Sequence, residues 1–184
     1  MDDKKLERYM AKSEIYELVC KYMRGLDRLD RLLLKSVFHE DAYCDYGFIK
    51  TDPDTFSQFC MDALKEHVAN HHMIGNSLIE FDNDDENTAY GEIYFNAYHK
   101  TIENGVNTDV IIAGRYLDRY ERRDSIWKIA YRSEVNDWSR TEPTNDPYFD
   151  DSDCHRGKRQ DDDVYHRESC LLYTSDAADD ANCV

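Results

Sequence analysis

Two side chains in this sequence could together take a proton from carbon. His71 and His72 open a run, residues 71–82, that reads as a strand and breaks into a turn over residues 83–87. Imidazole is the side chain whose ordinary pKa lies nearest neutrality. With a carboxylate partner it becomes a general base. Asp27 sits where one helical pattern gives way to the next, so two rigid elements would aim its carboxylate. Neighbouring strand residues face opposite sides, which points His71 away from His72 and disfavours a metal site built from the pair. The ordinary readings stand beside these. Asp27 is also explained as a polar residue at a helix end, and His72 as a core histidine bonded to backbone.

The elements that must position these groups are legible from periodicity. Over residues 5–26, Leu6, Met10, Ile15, Leu18, Val19, Tyr22 and Met23 recur at threes and fours, which predicts a helix. Gly25 is expected to loosen its end. A second helix is predicted over 28–38, then a polar break at 39–41 and a short strand over 42–46. Asp52 before Pro53 is a helix start, and that helix is expected to run to about residue 68. Four strand-like runs follow, at 71–82, 88–101, 107–122 and 126–139. Their short connections predict an antiparallel meander. Helices first and a curved sheet after give an α+β class. In the second run Ile93, Phe95, Ala97 and His99 alternate with Tyr90, Tyr94 and Tyr98. A sheet apolar on both sides needs two covers, and the second is expected to be another subunit.

Composition narrows the partners. The 184 residues suffice for one domain with a real core, and 41% hydrophobic and 12% aromatic content predicts a packed one. The net charge of −16 argues against nucleic acid and anionic membranes. No apolar run approaches the ~18 residues of a membrane span, and the first residues do not read as a secretory signal. The six cysteines include no C-x-x-C pair, so reduced thiols in a cytoplasm are expected and no metal is. Nothing in the sequence matches a nucleotide or cofactor motif, and no cofactor is expected.

The pattern dissolves after Thr141. Residues 141–184 carry 12 acidic against 4 basic side chains, half of the net charge in under a quarter of the chain. Residues 1–140 are read as the domain and 141–169 as an acidic tail or pocket cover. Residues 170–184 open with a stretch, 170–179, that resembles the translation of a transposon-type sequencing adapter. We read that last segment as adapter-derived, suggestive of a metagenomic or draft-genome source, and exclude it from function.

Three stretches carry a family resemblance: residues 21–27, residues 72–76, and residues 114–130 with their Tyr120-Glu121-Arg122-Arg123-Asp124 turn before Trp127. Together they resemble SnoaL-like proteins of the nuclear-transport-factor-two-like superfamily, over roughly residues 5–140. The resemblance implies a cone-shaped α+β barrel, three N-terminal helices on a curved, mostly antiparallel sheet. Within that superfamily the chain is similar to scytalone dehydratase, bile-acid dehydratase and hexachlorocyclohexane dehydrochlorinase, which work without cofactors through an Asp–His dyad. The dyad positions here are Asp27 and His72. Tyr22, Tyr46 and His99 match further catalytic positions, and Arg132 a pocket arginine, although Arg132 could equally pair with Glu134 or Glu121. Asn76, Tyr116 and Arg132 are the expected substrate contacts. Leu26, Gly114 and Tyr116 depart from scytalone dehydratase, where a tyrosine, a serine and an asparagine stand, so its own substrate is not implied.

The expectation is therefore a cofactor-independent lyase that eliminates water from a small polycyclic or steroid-like hydroxy-ketone. A ketosteroid-type isomerase is the alternative within chemistry. Outside it stands a non-catalytic ligand binder or an assembly subunit like the β subunits of ring-hydroxylating dioxygenases. A homotrimer or homodimer is expected by analogy.

Overall fold

The structure, a computed structural model, describes residues 3–147, 153, 154 and 156–159. The chain divides into two compact units, Met1–Asn145 and Asp146–Val184. The adapter-like segment and most of the acidic tail lie outside the described residues.

Helix α1 (Asp3–Arg28) buries Ala11, Ile15, Val19, Tyr22, Met23 and Leu26, so the predicted stripe holds from Ile15 onward, while Leu6 and Met10 near the start of the helix are exposed. Gly25 does not loosen the helix; it lies inside it. A Cβ there would stand 2.9 Å from Leu34 Cα, so glycine is what lets α2 (Arg31–Ser36) lie directly against α1. The helix ends instead at Leu29, with φ of 55°. There the Asp30 N–H donates to Gly25 O at 2.9 Å and the Leu29 N–H to Leu26 O at 3.3 Å, a Schellman-type stop. Asp30 then caps α2 by accepting from the Leu33 N–H at 2.9 Å. Helix α2 is thus shorter than residues 28–38, and Asp27 falls in the last turn of α1.

Helix α3 (Pro53–Leu64) starts as its Asp52-Pro53 signal predicts, with Asp52 accepting from the N–H groups of Asp54 and Thr55. It stops short of residue 68 because the Val68 N–H donates to Lys100 O at 2.7 Å, which draws the chain into the sheet.

The strands are β1 (Phe38–Asp45), β2 (Lys50–Thr51), β3 (Ala69–Phe81), β4 (Thr88–Glu103), β5 (Val106–Arg123) and β6 (Ile126–Pro143), in the order β2-β1-β6-β5-β4-β3. Strands β3 to β6 form the expected antiparallel meander. Two-residue turns join them at Asn104-Gly105 and Asp124-Ser125, all at positive φ, which matches the twist of the flanking strands. Two expectations are corrected. The polar residues 39–41 do not break the chain: β1 runs through them parallel to β6, with a register shift between Phe38 and Tyr43. Strand β6 also continues past Thr141.

The first unit is α+β, with three helices against a curved, mostly antiparallel, unclosed sheet. The helices cover the face that carries Ile93, Phe95, Ala97 and His99; the other face leaves Leu78, Tyr90, Tyr94 and Leu117 exposed.

Candidate active site

Asp27 and His72 meet although 45 residues separate them. Asp27 Oδ1 lies 2.7 Å from His72 Nδ1. Its two oxygens also accept from the His72 backbone N–H at 3.1 and 3.0 Å. One carboxylate therefore grips both the ring and the backbone of the histidine. A carboxylate accepts only, so His72 Nδ1 carries the proton and Nε2 is the basic nitrogen. Both side chains are nearly shielded from solvent, at 10% and 6% exposure. Asp27 also stands at the negative end of α1, where a carboxylate opposes the helix dipole by roughly 0.3–1 kcal/mol. Its placement is explained by His72, not by helix stability. His71 pairs with Tyr98, is exposed and faces away from the dyad, as alternation predicts.

The inner face holds a second cluster. Tyr22 and Tyr46 share a hydroxyl–hydroxyl hydrogen bond of 2.6 Å. Tyr46 stacks on Phe56 at 4.4 Å. Tyr116 stacks on Phe95 at 4.5 Å and meets Tyr22 edge-on at 5.5 Å. Burial pushes all three hydroxyls well above the usual phenol range, so they remain protonated donors.

Arg132 packs against two of these rings. Its guanidinium lies 4.2 Å from the ring centres of both Tyr22 and Tyr116. It pairs with Asp118 through two 2.7 Å hydrogen bonds, and Tyr120 donates to the same carboxylate at 2.5 Å. Neither charged side chain is exposed at all. Of the partners considered from sequence, neither Glu134 nor Glu121 is the one: Asp118, directly across on β5, takes Arg132. The structure thus places Arg132 and Tyr116 in the wall that supports the tyrosine pair. Asn76 is not brought to the cluster. It lies exposed in a bulge of β3 opposite Tyr94, about 13 Å along the strand from His72.

His99 is buried beside the dyad, its ring 5.1 Å from that of His72 in an edge-on contact. Its Nδ1 lies 2.8 Å from Asn70 Oδ1, and His67 Nδ1 lies 2.7 Å from the same oxygen. With the amide oxygen as acceptor, both rings carry their proton on Nδ1. Asn70, His67 and Asp118 were not singled out from sequence, and Glu134 was considered only as a partner for Arg132. The signal existed for three of them: Asn70 is two residues from His72, and Asp118 and Glu134 are two from Tyr116 and Arg132, all on a shared face.

Among the described residues no three His, Cys, Asp or Glu side chains come together as a metal-ligand set, and no helix is long and apolar enough to cross a membrane.

Fold and site define a class: an α+β cone whose inner face carries a carboxylate–imidazole pair and a cluster of buried tyrosines. The chain belongs to the SnoaL-like domain family, whose model matches residues 7–133. Solved structures agree on the fold. A type-2 hexachlorocyclohexane dehydrochlorinase (LinA) superposes with a TM-score of 0.67 at 20% identity, over 77% of this chain and 93% of that one. The type-3 LinA enzyme from Novosphingobium barchaimii gives 0.67 at 20% identity, over 75% and 94%. A protein assigned as a scytalone dehydratase from Novosphingobium aromaticivorans gives 0.66 at 21% identity, over 79% and 94%. No curated protein matches the chain by sequence.

Proposed function

We propose that this protein is a cofactor-independent lyase that removes water from a small polycyclic or steroid-like hydroxy-ketone. The observation that carries the reading is the double grip of Asp27 on His72, ring and backbone together, at a helix end where a carboxylate is otherwise unfavourable. Holding the proton on Nδ1 leaves Nε2 to take a proton from carbon, and the carboxylate stabilises the imidazolium that forms.

The C–H electron pair moves toward the neighbouring carbonyl, and the enolate oxygen needs donors. Tyr22 and Tyr46 are a hydroxyl pair already coupled to each other. Their raised pKa values suit hydrogen-bond donation, the role of a preorganised oxyanion site. His99 is the third polar group of this set. Arg132 and Tyr116 serve indirectly, by fixing the tyrosine rings. Double-bond migration would use the same base and the same donors, so the two reactions part only at the leaving group. The exposed apolar face of the sheet supports a homodimer or homotrimer.

The test is turnover of cyclic hydroxy-ketones followed by the rise of enone absorbance. Asp27→Asn and His72→Ala are expected to lower the rate about 10²–10⁴-fold with melting temperatures near wild type. A strongly downfield His72 Nδ1–H resonance should be seen in the wild type and lost in Asp27→Asn. Undiminished turnover in both variants would end the dyad reading.

A further inference from the structure

The inner face carries one more ionisable side chain, which the dyad does not use. Glu134 is half-buried on β6, two residues beyond Arg132 and directly across from Tyr116 on β5. Alternation puts it on the same side of the strand as Arg132. The backbone beside it is irregular. The β5–β6 register shifts between Ala113 and Gly114, and a Cβ on Gly114 would stand 2.1 Å from Val135 O. Only glycine at 114 lets β6 come this close immediately after Glu134. Such bulges re-aim side chains near sites.

The groups that interact electrostatically with Glu134 come from five elements or their ends: His72 on β3, Tyr116 on β5, Tyr46 after β1, Cys60 on α3, and Arg132 and Asn136 on β6 itself. It is not the counter-ion of Arg132. Asp118 fills that role, and Arg132 Nη1 has no hydrogen-bond partner at all. A carboxyl group thus shares the inner face with the base without being spent on an ion pair.

We propose that Glu134 is the second proton-transfer residue of this site, protonating the departing hydroxyl of a β-hydroxy-ketone while His72 takes the proton from the intervening carbon. The inference rests on the dyad reading and supplies what it lacks. Tyr22 and Tyr46 hold their protons too tightly to release them. His99 is committed to Asn70 through its Nδ1. Glu134 differs from both. Burial pushes its carboxyl above the ordinary value of 4.5, against the pull of Asn136, Arg132 and His72. A raised pKa moves a carboxyl toward the range in which it can act as a general acid.

The step balances. The C–H bond breaks toward His72 Nε2, and its electron pair becomes the new C=C bond. The C–O bond breaks with its pair on oxygen, which takes the Glu134 proton and leaves as water. Imidazolium and carboxylate remain on one face, and a proton passed between them through that water restores both.

The experiment compares a benzylic β-hydroxy-ketone with its β-acetoxy ester, because acetate leaves without a proton. Glu134→Gln keeps the side chain's size and removes the acid. It is expected to slow loss of water about 10²–10⁴-fold and loss of acetate less than about tenfold. Equal slowing of both, or none with the hydroxy-ketone, overturns the proposal. Asp27→Asn slows both substrates if the dyad is right, so the two readings fail in different ways. Carbon-13 NMR of the Glu134 carboxyl in the wild-type protein decides the matter independently of turnover and of whether the variant folds. A carboxyl still protonated well above pH 4.5 supports the role; an ordinary titration overturns it.

Discussion

The two faces of one sheet in this protein have opposite chemistry, although the same strands supply both. On the inner face Arg132 and Asp118 are sealed from solvent, the rings of Tyr22, Tyr46 and Tyr116 interlock, and Asp27 holds His72. On the outer face Leu78, Tyr90, Leu117 and Tyr131 line an open groove of about 530 Å³. Arg115 there reaches Asp137 and Glu92 in partly exposed pairs. Charges on the outer face are screened and contribute little. Charges on the inner face are costly unless each is fully partnered. The contrast teaches where polar residues signal function. A polar side chain on the inner face needs an explanation, whereas one on the outer face does not.

The sharpest way to break this contrast is to unpair the buried charge. Asp118→Ala leaves Arg132 buried without a carboxylate, and urea unfolding should show a loss of about 3–5 kcal/mol. The matching outer change, Asp137→Ala, should cost less than about 1 kcal/mol. Similar losses at both sites would erase the distinction between the faces.

Next in size is the tyrosine pair. Tyr22→Phe removes the hydroxyl bonded to Tyr46 and retains the ring against Arg132. An oxyanion donor of this kind is worth up to about 10²–10³ in kcat. If the pair serves packing alone, the phenylalanine variant keeps its rate, and enone-formation kinetics separate the two cases.

A smaller effect concerns pH. Glu134 has its pKa raised in the folded protein by burial, so the native state binds its proton more tightly than the unfolded chain does. That contribution to stability is full below the unfolded value near 4.5 and is lost as pH rises through the higher folded value. Glu134→Gln escapes the loss. The melting-temperature difference between variant and wild type should therefore shift in favour of the variant as pH rises from about 4.5. A difference independent of pH would place Glu134 in an ordinary, solvated setting.

The smallest effect on the single chain is expected from the outer groove. Leu117→Glu should change the stability of the monomer by no more than about 0.5 kcal/mol. If a second copy covers this face, the same change shifts the protein to a smaller species in light scattering after size exclusion. An unchanged mass would release the groove from that role.

Much of the fold was legible because its signals are local. The stripe of α1 from Ile15 onward and the Asp52-Pro53 cap each follow from residues within a few positions of one another. The failures were also local signals, overruled by distant partners. Polar residues 39–41 look like a break, yet β1 finds β6 some ninety positions later. Gly25 looks like a helix end, yet Leu34 packs against it. Of the site, residue types and face were readable from sequence, but which side chains bond to which was not.

The sequence by itself determined that His72 faces away from His71, that Tyr22 belongs to the buried stripe of α1, and that Arg132 and Glu134 share a side of β6. These follow from the fixed periods of helix and strand. Only the tertiary structure decided that Asp27 reaches His72, that Asp118 rather than Glu134 takes Arg132, and that Asn76 stands apart. Those outcomes depend on register between strands and on the crossing of α1 over β3. Register and crossing are fixed by the summed packing of the core, so no short stretch of sequence encodes them.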